Sequence, residues 1–200
     1  MIDRDDGVKI LHEHVQDHGL RRHMLAVEAC MRAYAERLDG DPDAWGLAGL
    51  LHDFDWEIHP TTPEHPRDGI PILRARGLPE NVLQAILAHN PDCAEPAAPM
   101  DYALRACDEI TGLVIAATLV RPAKDIRKIK VKSVKRNWKD KLFCAAVDRD
   151  EIRESTEAFS AACFEGRLEL WQHVGHVIEA MQGVAETLDL DGRLAAPAEA

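Results

Sequence analysis

The stretch from Asp41 to Asp55, DPDAWGLAGLLHDFD, decides the reading of the whole chain. Asp41 offers a side-chain oxygen to the free N–H groups of a helix start, and Pro42 suits the first turn, where its missing N–H is not needed. From Ala44 to Leu51 nearly every residue is apolar, so this helix is expected to be buried on several sides. His52 and Asp53 close it, and Phe54-Asp55 leads into residues that include Pro60, Pro63 and Pro66, which read as a loop. A helix buried all round needs neighbours to bury it, and the flanking sequence supplies helices.

Upstream, Val8, Leu11, His12 and Val15 recur at helical spacing after Asp3 or Asp5 as a cap. A second start follows Gly19, from which Leu20, Met24, Val27, Met31, Tyr34 and Leu38 step by three or four. Downstream, helices are expected over 68–76, stopping at Gly77, and from Pro79, with Val82, Leu83, Ile86 and Leu87 inward, to Asn90-Pro91. Further helices are expected over 101–120, 148–164 and 167–188; residues 124–141 read as turn-like or broken helix, and the tail 194–200 as frayed. No run alternates for long with period two, and no internal repeat or Gly-rich phosphate loop is visible. Hydrophobic residues make up 46% of the chain and aromatic residues only 5%, which disfavours a β-rich fold. The expected fold class is all-α, a helical bundle with residues 1–200 forming one domain.

Composition narrows the function. The 24 Lys and Arg against 35 Asp and Glu leave a net charge of −11, which disfavours general adhesion to nucleic acid or an anionic membrane. The longest apolar stretch, 110–120, is interrupted by Thr111, Gly112 and Thr118 and falls short of the roughly 18 residues that a membrane span needs. The N-terminal MIDRDDGVKI has early acids and no apolar core, so the expected location is the cytoplasm. Five cysteines form no C-x-x-C pair and read as small core residues rather than disulfide partners or zinc ligands.

Of the ten histidines, three fall inward. His23 sits among Leu20, Met24 and Val27, His52 closes the most apolar helix, and His89 continues the Val82, Ile86 face. Asp53 follows His52, and Asp108 lies in an otherwise apolar helix among Leu104, Ile110 and Val114. A buried carboxylate costs several kcal/mol unless a cation, a metal or strong donors compensate it. The available partners are histidines, and a mixed His/Asp set suits Fe, Mn, Zn or Ni. His12, His14, His18, His59, His173 and His176 read as surface or packing residues, with metal binding by the i, i+3 pair His173 and His176 as the alternative. Asp55 and Glu57 read as solvated loop acids, with support of the ligands or proton donation as the alternative.

In order along the chain, His23, His52-Asp53 and Asp108 spell H…HD…D, and the chain resembles the HD-domain superfamily of metal-dependent phosphohydrolases. The likeness continues through His65-Pro66-Arg67-Asp68-Gly69, Gly77-Leu78-Pro79 and Ala85-Ile86 with His89, similar to the H-P-x-x-G, G-L-P and A-I-x-x-H stretches of the binuclear HDIG-like branch. The later IKVKSVKRNWKDK resembles a bacterial branch of HD hydrolases with unassigned substrate. The resemblance implies an HD-type metal-binding core over 19–120, a basic segment over 121–141 and additional C-terminal helices within 148–190. It implies that His23, His52, Asp53 and Asp108 hold one divalent metal, that His65 and His89 serve a second one bridged by Asp53, and that Asp53 is the catalytic residue, orienting the attacking hydroxide. Two positions depart from the pattern: Asn90 stands where a second histidine is usual, and Trp56 where a lysine often follows.

The implied activity is hydrolysis of a small phosphoester, with nucleotides among the candidates, by a metal-activated hydroxide. An HD-type di-iron oxygenase and a non-catalytic HD scaffold binding a nucleotide or protein partner are the competing readings. Residues 121–141 carry ten Lys or Arg and two Asp, about +8, which leaves about −19 in the remainder. Lys132, Lys135 and Arg136 are candidate substrate-binding residues gripping phosphates near the metal; a solvated basic face, or docking onto the protein's own acidic surface, is the alternative. With Trp138 as its single aromatic residue, the segment gives little support to a nucleic-acid groove.

Overall fold

Aspartates start the first helices. In the computed structural model, which describes residues 2–140 and 142–195, α1 (Arg4–His14) opens at Asp3, whose carboxylate accepts the Asp6 N–H at 3.0 Å. Lys141, which ends the basic segment, and residues 196–200 of the tail lie outside the described residues. Asp17 accepts the Leu20 N–H at 2.7 Å and starts α2 (His18–Arg37) slightly ahead of the expected position after Gly19. Asp41 opens α3 (Pro42–Leu51), in which Trp45 through Leu51 are all buried, as its composition requires. The Pro-rich loop then gives way to a short α4 (Glu64–Arg67) and to α5 (Ile70–Ala75), so the expected 68–76 helix is one of two pieces. Gly77, at φ 87°, turns the chain toward α6 (Glu80–Ala88).

The long rod of the fold is α7 (Pro99–Leu119). Beyond it the basic segment is more ordered than its sequence suggests, with a 3₁₀ turn at Ile126–Lys128 and a two-turn α8 (Val131–Trp138). The C-terminal helices are α9 (Arg149–Phe164) and α10 (Leu170–Gly183), the latter shorter at each end than expected. Among the described residues there is no strand, and the fold is all-α. None of these helices is long and apolar enough to cross a membrane.

One apolar core joins the helices, with Met24, Val27 and Met31 of α2, Leu50 and Leu51 of α3, and Leu104, Ile110 and Leu113 of α7 fully buried. Cys30 and Cys107 are buried in it, while Cys93, Cys144 and Cys163 are half-buried and all five are free thiols. The α2/α3 contact is backbone against backbone. A Cβ on Gly49 would lie 2.8 Å from the Glu28 nitrogen and 2.9 Å from the Val27 carbonyl carbon.

His173 of α10 is fully buried and packs in this core, the packing rather than the surface role left open by its sequence. Its Nε2–H donates to the Ala106 carbonyl at 2.8 Å, leaving Nδ1 to accept the Tyr34 hydroxyl at 2.5 Å. Burial, aided by His176 nearby, lowers its pKa to about 4. The unfolded imidazole takes up its proton near pH 6.5 and the folded one only near 4, so folding stability falls as pH drops through that window. Between pH 7 and 4.5 this one residue is expected to remove about 2 to 3 kcal/mol. Chemical denaturation at both pH values should show a loss smaller by that amount in His173→Gln, and an equal loss in both proteins would refute the assignment.

Candidate metal centre

Helix ends leave carbonyls without partners, and two ligand candidates use them. His52 follows α3 and donates its Nδ1–H to the Gly49 carbonyl at 2.9 Å; His89 follows α6 and donates to the Ile86 carbonyl at 2.5 Å. His23 of α2 donates from Nδ1 to the Thr111 hydroxyl at 3.1 Å, and that hydroxyl is itself committed as donor to the Asp108 carbonyl at 2.8 Å. His65 of α4 donates from Nδ1 to Asp55 at 2.8 Å. These partners place the proton of all four rings on Nδ1 and turn the four Nε2 lone pairs toward one another.

The lone pairs meet at short range. His23 Nε2 lies 3.2 Å from His52 Nε2, and His65 Nε2 lies 3.1 Å from His89 Nε2. Two ring nitrogens facing each other this closely need a proton or a metal cation between them, and carboxylates surround them. Asp108 Oδ1 is 3.0 Å from His23 Nε2 and 3.5 Å from His52 Nε2. Asp53 divides its oxygens: Oδ2 is 3.3 Å from His52 Nε2, while Oδ1 is 3.2 Å from His65 Nε2. The result is two ligand groups, His23, His52, Asp53 and Asp108 in one and Asp53, His65 and His89 in the other, sharing Asp53. The residues fit divalent transition metals in both.

The charges agree with this reading. Burial alone would raise Asp53 and Asp108, yet His52 and the neighbouring imidazoles hold both carboxyls well below the usual range. Burial works against protonation of His65, but Asp53 and Asp55 push it up to about 9, and Asp53 with Asp108 raises His52 in the same way. His89, lowered by burial and by His52, stays neutral. The carboxylates thus draw positive charge onto Nε2 of His52 and His65, and a bound metal cation would displace those protons and supply that charge in their place.

Asp55 is a correction to the sequence reading, because it is fully buried rather than solvated and holds His65 in place. Gly69 permits this, since a Cβ there would lie 2.5 Å from Asp55 Oδ2. Glu57 accepts the backbone N–H groups of Gln16 and Asp17 at 2.8 to 3.0 Å and fastens the junction of α1 and α2. His12 and His18 are exposed, and His14 bonds the Ile10 carbonyl at 3.1 Å. His59 is half-buried, and none of these four joins a ligand group.

A cavity of about 490 Å³ opens over the cluster. Its wall includes both departures from the H…HD…D pattern. Asn90 donates to the His65 carbonyl at 3.3 Å, and Trp56, 43% exposed, meets the His65 ring edge-on at 4.9 Å. Arg105 is the one Lys or Arg in the described lining, and it forks onto Glu151 at 2.8 and 3.3 Å. It escaped the sequence reading, although its place three residues before Asp108, on the same helix face, was the available signal. Burial and the charge of Asp108 raise the neighbouring Glu109 to about 7. Lys132 and Arg136 line a different depression, and Lys135 lies over the Trp171 ring at 4.9 Å.

No curated protein and no solved structure matches the chain. The family model of the HD domain matches residues 20–135, a span that holds all six ligand candidates from His23 to Asp108, and the chain belongs to the HD-domain family.

Proposed function

We propose that this chain is a metal-dependent phosphohydrolase that cleaves a small phosphoester, with nucleotides as the first candidates. The observation that carries the reading is the sharing of Asp53 between two ligand groups at the floor of one cavity. A divalent ion held there would supply a water of near-neutral pKa and positive charge against the phosphoryl oxygens. Asp53 accepts a hydrogen bond from the attacking water and aligns it. Asp55, through His65, keeps the ring that faces Asp53 in one orientation. Arg105, held on its Nε and Nη2 side by Glu151, offers its remaining guanidinium N–H groups to the phosphoryl oxygens from the cavity wall. Trp56 and Asn90 shape the entrance beside His65.

Elemental analysis and a phosphoester screen test this reading together. The purified protein is expected to carry one or two equivalents of Fe, Mn, Zn or Ni, and to lose phosphate release in chelator and regain it with added Mn or Fe. An iron-loaded, coloured protein that consumes O₂ without releasing phosphate would point to an oxygenase. Nucleotide binding without turnover under any metal would leave a binding scaffold.

A further inference from the structure

The basic segment forms a second concave site, remote from the metal cluster. Arg121 lies just past the end of α7, whose axis rises about 16 Å between Asp108 and Leu119. Around it, Lys128, Lys130, Lys132, Ser133 and Arg136 close a depression of about 380 Å³ that shares no lining residue with the metal cavity.

Three features set this depression apart from a solvated basic face. The first is that its cations lack counter-charges. Arg127, in the same segment, pairs with Asp125 at 2.9 Å, whereas among the described residues none of Arg121, Lys128, Lys130, Lys132 and Arg136 forms an ion pair. Docking onto the chain's own acids therefore does not account for them, and five like charges converge in a molecule of net charge −11. The second is a rigid floor. Ile126, Ile129 and Val134 are fully buried beneath it, Gln182 donates to the Ile126 and Ile129 carbonyls at 3.0 and 3.1 Å, and Ile126 N–H reaches the Leu190 carbonyl at 2.7 Å. The backbone that carries the cations is thus fixed before any ligand arrives, which lowers the cost of binding. The third is the chemistry of the wall. Two guanidinium forks and three ammonium groups suit phosphoryl oxygens, while the lining has no aromatic or apolar side chain on which a base could stack.

We propose that this depression binds a compact polyphosphate anion through its phosphate groups alone, at a site separate from the metal centre. A long nucleic-acid strand would have to leave the basic patch across a surface of net negative charge, so the geometry favours a short ligand. The proposal does not depend on the hydrolase reading.

The test is a titration of the ¹⁵N-labelled full chain with inorganic tripolyphosphate at low salt, followed by amide shifts. Shift changes are expected at 121–136 in the wild type and equally in Asp108→Ala, which removes a metal-ligand carboxylate and so separates binding here from chelation at the metal centre. Lys132→Gln/Arg136→Gln is expected to weaken binding at least tenfold. Lys128→Gln serves as an independent variant should the double one fold poorly, with a weakening of threefold or more. Unchanged affinity in these variants, or shifts confined to the surroundings of His52 and Asp53, would overturn the proposal. Tighter binding of a single-stranded oligonucleotide at equal phosphate concentration would also overturn it, in favour of a nucleic-acid surface.

Discussion

Asp53→Ala is expected to disable both ion positions at once and to lower phosphate release at least about a thousandfold, several kcal/mol of transition-state stabilisation. The reason is the division of one carboxylate. Oδ2 faces His52 at 3.3 Å and His23 at 3.7 Å, and Oδ1 faces His65 at 3.2 Å and His89 at 3.7 Å. Among the described residues no other side chain belongs to both groups. His89→Ala is the informative comparison, because it thins only the group that contains His65 and should leave about one equivalent of metal bound. Elemental analysis and turnover on both variants, with circular dichroism to confirm the helices, decide the matter. An Asp53→Ala protein that keeps two equivalents and full activity would end the shared-ligand interpretation.

The second large effect concerns packing. Gly49→Ala places a methyl group 2.8 to 2.9 Å from backbone atoms of Val27 and Glu28, which cannot rotate away as a side chain would. The two helices must part, at a cost of about 3 kcal/mol, the upper end of ordinary overpacking. For a chain of this length that corresponds to a fall in Tm of about 6 to 12 °C. Gly175→Ala provides the control, since its Cβ would meet only Val131 Cγ2 at 3.6 Å, an ordinary contact. It should be neutral or stabilising, by up to about 1 kcal/mol, because alanine is the better helix former. Gly49→Ala should also weaken metal retention, since the Gly49 carbonyl accepts the His52 Nδ1–H and α3 carries His52 past His23 on α2. Thermal unfolding and metal content measured on the same samples would show whether the two losses travel together.

The helices and the ligand candidates His23, His52, His89 and Asp108 were legible in the sequence for one shared reason, whereas His65, in the Pro-rich loop, entered only through the family resemblance. Caps such as Asp41, and polar residues such as His23 and Asp108 on apolar faces, announce themselves through neighbours three or four positions away. What stayed hidden depends on distant parts of the chain. Asp55 looks like any loop acid until the chain returns ten residues later with His65 and packs Gly69 against it. The basic segment has little local reason to order. Its shape is imposed by Gln182 and Leu190, more than fifty residues away. The expectation that Lys132, Lys135 and Arg136 stand beside the metal ligands had no means of weighing the length of α7, which separates the end of that helix from Asp108.

His52 and His89 each complete a helix end through Nδ1 before their Nε2 atoms meet any ligand. Selection for a folded chain would therefore retain both histidines in a descendant that had lost the proposed activity. The carboxylate of Asp53 has no such second employment, because its oxygens face only the ligand imidazoles. In judging which HD-domain chains keep the proposed metal chemistry, the aspartate of the pair is the position to read, and the histidine before it is a poor witness.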